Sequence, residues 1–139
     1  MPSTAKTIED LFSMLTDDRS TLQLVRQGVS PSKVTAFIER AHLTQKEFFQ
    51  VTRLKSATFY HRLKSRKNFD SIESDRIVRV MRALKLAEDI LGSPEQARAW
   101  YHTEVPALGN VTPWSLLDTE PGTREVETIL LRIEHGIYS

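Results

Sequence analysis

Helix-start signatures punctuate this chain at short intervals, and they constrain its fold more than any other feature. Ser30-Pro31 reads as an N-cap followed by the first helical residue, and Thr44-x-x-Glu47 reads as a capping box. Ser93-Pro94-Glu95-Gln96 combines a capping box with proline at the first helical position, and Thr112-Pro113 opens a further short helix. Between these starts apolar residues recur at helical spacing, and no apolar/polar alternation is bounded by turn signals. The expected fold class is therefore all-α, built from short helices, with no internal repeat.

The apolar pattern assigns the segments. Ile8, Leu11, Phe12 and Leu15 predict a short docking helix, and a segment from Thr21 to Gln27 ends at Gly28 as a C-terminal cap. The helix from Pro31 carries Val34, Phe37, Ile38 and Ala41. A short helix opens at Thr44 and carries Phe48 and Phe49. Ser56 is expected to cap another through about Ser65, with Phe59 and Leu63 inward. Arg66 to Asp70 reads as a polar linker to a long helix from about Ile72 to Leu91, which Gly92 ends. The helix after Ser93 carries Ala97, Trp100 and Tyr101, and Val105 to Asn110 reads as a loop. Trp114, Leu116 and Leu117 occupy the short helix after Pro113, which Pro121-Gly122 is expected to break. A last helix with Val126, Ile129, Leu130 and Ile133 runs to His135, and Gly136 stops it. The expected division is an N-terminal helical unit over residues 1–70 and a C-terminal unit over 71–139.

With 139 residues the chain buries roughly two-thirds of its unfolded surface and needs no staples. It has no cysteine, which removes disulfides, thiolate zinc sites and cysteine nucleophiles. The histidines, His42, His61, His102 and His135, are scattered without metal-ligand spacing, and no nucleophile elbow or phosphate loop is present. No catalytic residue, metal or cofactor is expected, so the chain reads as a non-enzyme. No signal peptide and no apolar run near ~20 residues is found, which makes a soluble, cytoplasmic protein the expectation.

The net charge of +1 hides a division. Residues 40–67 hold eight Lys or Arg against one acid, Glu47, whereas residues 113–139 hold five acids and two Arg. Such separation suits a polyanion at one end and a different partner at the other.

Two short helices joined by a tight turn inside the basic stretch suggest a helix-turn-helix, with Thr44 to Gln50 as support and Ser56 to Ser65 as recognition helix. Rotation by 100° per residue from Phe59 points Ala57, Thr58, His61 and Lys64 outward, with Tyr60 and Arg62 on the flanks. Small residues at the start can approach base edges while later cations meet phosphates. Ser56 opens that helix, and Lys46, Arg53 and Lys55 flank it for backbone contacts. The segment LTQKEFFQVTRLKSATFYHRLK resembles the helix-turn-helix of Xre-type, lambda-repressor-like regulators. Arg53 stands where that family places glycine, so it must take a left-handed turn conformation at a cost of ~1 kcal/mol. Phe49 stands where a small residue is usual.

From Leu108 the chain runs LGNVTPWSLLDTEPGTREVETILLRIEHGIYS. Trp114, Leu117, Val126, Ile129, Leu130 and Ile133 are accounted for by core packing. Glu120, Arg124, Arg132, Glu134 and His135 cluster around the corner and the chain end, and Ile137, Tyr138 and Ser139 follow as a tail. This segment resembles the toxin-binding domain of Xre/MbcA/ParS-type antitoxins, in Ala107, Leu108, Gly109, Thr112, Pro113, Leu116, Leu117, Thr119, Gly122, Val126, Leu130, Arg132, Ile133, Glu134 and Gly136. Asn110 replaces the second glycine of the family's loop, and Trp114 a smaller apolar residue. The resemblance covers about residues 40–139.

What the resemblance implies is an antitoxin whose partner is a RES-domain toxin that consumes NAD, neutralised by covering its active-site cleft. Trp114, Glu120, Arg124, Arg132, Glu134, His135 and Ile137–Ser139 would then bind toxin, with Arg132, Glu134 and the tail nearest the cleft. It also implies promoter DNA as a second partner, autoregulation, and a homodimer within a larger toxin–antitoxin complex. The alternative is a stand-alone helix-turn-helix regulator whose C-terminal half only dimerises.

Overall fold

The computed structural model describes residues 4–136, with side chains described from Ile8 onward. Among them lie eight α-helices: α1 Thr4–Met14, α2 Asp18–Gln27, α3 Pro31–Arg40, α4 Gln45–Thr52, α5 Ser56–Ser65, α6 Ser71–Leu91, α7 Pro94–Tyr101 and α8 Glu120–Glu134. Two 3-10 turns, Pro106–Leu108 and Pro113–Leu116, join α7 to α8. The all-α expectation holds. The only β feature among the described residues is one isolated bridge, Val105 to Val111.

Helix α6 is the spine. Ser74, Ile77, Val78, Val80, Met81, Ala83, Leu84 and Ala87 are all buried along it, so a wide apolar arc faces inward. Helices α2, α4, α7 and α8 all pack against that arc, and α1 and α5 pack on α3. One continuous core results, with Phe37, Phe48, Phe59, Phe69 and Tyr101 its largest fully buried side chains. The Tyr101 hydroxyl donates to the Ala83 carbonyl at 2.8 Å, which satisfies it inside the core.

The N-caps Ser30, Thr44, Ser93 and Thr112 each accept a backbone N–H three residues on, and the expected capping box closes at Thr44 but not at Ser93, where only the serine half is made. Several boundaries differ from expectation. The N-cap of α5 is Lys55, which makes no side-chain cap bond, and Ser56 is the first helical residue. Leu63 is half out in solvent, because α5 runs past the edge of the core after its first two turns; Phe59 alone is its buried anchor.

The linker before α6 is not purely polar. Phe69 is fully buried, stacks on Phe59 with ring centres 6.1 Å apart, and donates its backbone N–H to the Val29 carbonyl at 2.9 Å. Asp70 and Glu73 then form a capping box that starts α6 one residue before Ile72, which is itself exposed. The Val105–Asn110 loop is ordered by a bond from the Asn110 N–H to the Val105 carbonyl.

Pro121-Gly122 does not precede the last helix but lies in its first turn. Thr119 is the N-cap and accepts the Gly122 N–H at 3.1 Å, while Pro121 fits where no donor is needed. Glycine is required at 122 by proximity, since a Cβ there would sit 2.1 Å from the Leu116 carbonyl oxygen. Gly122→Ala is therefore expected to destabilise the fold by about 1–3 kcal/mol in urea unfolding, as overpacking of a tight contact does. A measured cost below about 0.5 kcal/mol would mean that the preceding 3-10 turn yields easily.

Candidate functional site

Helix α4, the turn Arg53-Leu54-Lys55 and helix α5 form the helix-turn-helix. Arg53 adopts the left-handed conformation, φ 58° and ψ 30°, and its N–H bonds the Phe49 carbonyl as the helix stop. Leu54 is buried beneath the turn. Phe49 and Phe59 fill the space between the two helices with ring centres 4.9 Å apart, so an aromatic pair occupies the place of a close helix approach. Arg76 of α6 donates from Nε to the Thr52 carbonyl at 2.8 Å, which fixes the far end of α4.

Lys46, Arg53, Lys55, Ser56, Ala57, Tyr60, His61 and Lys64 are exposed, and Thr58 is half-buried on the same helix. Tyr60 is tied down: its hydroxyl donates to Gln45 Oε1 at 2.5 Å and its ring packs edge-on against Phe59. Arg62 does not belong to the outward face. Its guanidinium pairs with Glu73 at 2.7 Å and Asp70 at 3.8 Å, donates to the Asn68 carbonyl, and lies over the Phe69 ring. It anchors α5 to the start of α6, and a neighbouring acid pair just past the linker was the sequence signal for that role. Arg66 and Lys67, not assigned from the sequence, follow α5 and are exposed.

At the other end, the loop at Ala107–Leu108 and the outer face of α8 bound a groove of about 350 Å³. Its apolar lining includes Ala107, Leu108, Pro121 and Ile129, with Arg124 and Arg132 on its polar side. Arg124 is held by Glu120 at 2.5 Å. Glu134 and His135 are exposed at the end of α8, with the Glu134 carboxylate and the His135 imidazole 4.0 Å apart. Trp114 packs as the apolar pattern expects: it is 8% exposed and meets Tyr101 and His102 edge-on, so it supports the turn from within and is not the exposed toxin contact that the resemblance implies. The expected toxin-binding residues Ile137, Tyr138 and Ser139 lie outside the described residues.

Ion pairs and histidine–carboxylate contacts join the two halves. Arg40 pairs with Glu88, His42 with Glu95 at 3.0 Å, and Arg53 with Asp118 at 3.6 Å. Glu47 receives both Arg98 at 2.8 Å and His102 at 3.0 Å. Partial burial pulls the Glu47 carboxyl upward, but the Arg98 guanidinium and the Thr44 hydrogen bonds outweigh it and hold the group below its ordinary value. Among the described residues no group of acids and histidines is placed to hold a metal, and no helix is long and apolar enough to cross a membrane.

The fold is thus a helix-turn-helix joined through one shared helix, α6, to a small helical unit that carries an open groove. Residues 20–82 match the antitoxin Xre-like helix-turn-helix domain, and residues 86–136 match the antitoxin Xre/MbcA/ParS C-terminal toxin-binding domain. Antitoxin Xre of Yersinia enterocolitica serotype O:8 is 31% identical over 116 residues, which cover 83% of this chain and 78% of that protein. The Prs ADP-ribosylating antitoxin of Sphingobium sp. strain YBL2 is 28% identical over 125 residues, 84% of this chain and 79% of its own. Antitoxin Xre of Photorhabdus laumondii is 34% identical over 94 residues, covering 67% of this chain and 64% of that one. The chain belongs to the Xre family of antitoxins. It is the antitoxin of a toxin–antitoxin system, a binding protein and not an enzyme.

One acid opposes this fold. Glu127 on α8 is partly desolvated, which raises its pKa; Arg82 lowers it in part and Glu120 raises it again. A carboxyl raised on folding costs stability while ionised, and that cost disappears as pH falls through its raised value. Glu127→Gln is therefore expected to raise the melting temperature at pH 7, with the gain shrinking as the parent acid protonates toward pH ~4. An equal gain at both pH values would locate the effect in packing instead of charge.

Proposed function

We propose that this antitoxin neutralises a RES-type, NAD-consuming toxin by covering its active-site cleft, and that it binds its own promoter DNA through α5 as a homodimer within a larger complex. The observation that carries the toxin half is the groove between the Ala107–Gly109 loop and α8, bordered by Arg124 and Arg132. It falls within the part of the chain matched to the toxin-binding domain, and it offers an apolar floor with a cationic edge. One relative's name couples an antitoxin to ADP-ribosylation, a reaction whose donor is NAD. Neutralisation is steric in this reading, so the chain needs only surface: Glu120, Arg124, Arg132, Glu134, His135 and the tail Ile137–Ser139.

The DNA half rests on the exposed face of α5. Ala57, Thr58 and His61 reach base edges, while Lys46, Arg53, Lys55 and Lys64 meet phosphates. Two copies supply the two-fold symmetry that paired half-sites require. The functional division follows the chain, with DNA contacts before residue 70 and toxin contacts after it, and binding in the cytoplasm of the producing cell.

Co-expression with the protein of the neighbouring reading frame tests the toxin half. That protein alone is expected to stop growth and deplete NAD, and the parent antitoxin to prevent both by co-purifying with it. Arg132→Glu is expected to lose protection while promoter binding persists. A neighbour that neither harms the cell nor binds the chain contradicts the reading and leaves a plain DNA-binding regulator. For the DNA half, Lys64→Glu is expected to weaken promoter binding by about ten-fold or more and to flatten its salt dependence by roughly one phosphate contact, read by fluorescence anisotropy.

A further inference from the structure

Helix α4 carries the recognition helix, and the C-terminal half holds its first turn. Glu47 is shared between two tasks. Its Oε1 accepts from the Thr44 N–H and hydroxyl, closing the capping box, while its Oε2 accepts from Arg98 Nη1 at 2.8 Å and lies 3.0 Å from His102 Nε2. Arg98 lies on α7 and His102 is its C-cap, and α7 packs against α6 as α4 does. Among the described residues, every hydrogen bond or ion pair recorded between α4 and that region runs through this one carboxylate.

The contacts continue in both directions. On one side, His102 rests edge-on against Trp114, with ring centres 5.3 Å apart, in the Pro113–Leu116 turn of the toxin-binding domain. On the other, Gln45, also in the first turn of α4, accepts the hydroxyl of Tyr60 on the recognition helix. The far end of α4 is held by the C-terminal half as well, through Arg53 and Asp118. An ordinary surface ion pair would be exposed on both sides and would end at its partner. This one is partly buried, brings Arg98 and the His102 ring to the same Glu47 oxygen, and is continuous with packed rings and a recognition-helix hydrogen bond.

We propose that Glu47 is a positioning residue for DNA recognition, through which Arg98 and His102 of the toxin-binding half set the pose of the recognition helix. The inference rests on the DNA-binding reading above. It makes the two binding activities linked: a toxin that displaces the Trp114 turn moves His102, and the change in DNA affinity equals the change in toxin affinity that DNA causes.

The test uses the full chain and two duplexes, one carrying the promoter upstream of its own reading frame and one a scrambled sequence of equal length. Glu47→Gln keeps the side-chain size and the capping box, which tolerates glutamine, but removes the charge that Arg98 pairs with. Glu47→Gln and Arg98→Gln are each expected to lower promoter affinity by about ten-fold and to leave scrambled-duplex affinity within about two-fold, with Arg98→Lys recovering most of the loss. Arg82→Gln, which breaks the distant pair with Asp18, controls for general destabilisation and is expected to change neither affinity. Promoter affinity unchanged in both variants, or an equal fall on both duplexes, overturns the positioning role. A parent chain that does not distinguish promoter from scrambled DNA removes the DNA-binding reading itself, and this inference with it.

Discussion

Burial of α6 from several sides at once is the constraint from which the other elements take their positions. Ile77, Val80, Met81, Ala83 and Ala87 along it are withdrawn completely from solvent. No single neighbour could cover that arc, so α2 and α4 close it from the N-terminal half, and α7 and α8 from the C-terminal half. Polar groups on α6 fix the register of what packs there. Ser74 accepts the Val29 N–H and donates to the Phe69 carbonyl, and Arg76 caps the end of α4. Fully satisfied buried polar groups of this kind specify one arrangement where apolar packing alone would allow several.

A shared spine changes what two functional units mean in this chain. The helix-turn-helix and the toxin-binding domain divide the family matches near residue 84, yet α6 runs unbroken through that point. The two halves therefore share a core instead of facing each other across a hinge, and the ion pairs from Arg40, His42, Glu47 and Arg53 stitch the same seam at its surface. The basic stretch around α4 and α5 and the C-terminal helix α8 are thus held on one shared core.

The fold was legible wherever local chemistry is self-contained. Ser30-Pro31 and Thr44-x-x-Glu47 complete their hydrogen bonds within one turn, so the residues alone announce them. Arg53 took the left-handed turn that its place demanded. What the sequence hid were roles that depend on distant partners. Phe69, flanked by polar residues, is core only because Val29, Phe59 and Ser74 close around it, and Arg62 looks like a DNA contact until Glu73 is brought beside it. Trp114 fits both the core pattern and the toxin contacts that the resemblance implies, and the packing of Tyr101 and His102 draws it inward. Pro121-Gly122 has the composition of a helix break, yet a glycine crowded by the Leu116 carbonyl belongs inside a helix start. In each case tertiary contact overrode a local signal.

The central claim is that one rigid antitoxin presents DNA and toxin surfaces on separate parts of the same core. Amide hydrogen exchange on the full chain, measured alone, with promoter duplex and with the co-encoded toxin, tests it most directly. The account predicts that DNA slows exchange over residues 53–67 and that toxin slows it over residues 107–136, with only weak change at the shared α6. Toxin protection strongest on α5, or DNA protection strongest on α8, would contradict it; a weaker toxin effect at the first turn of α4 is the linkage through Glu47.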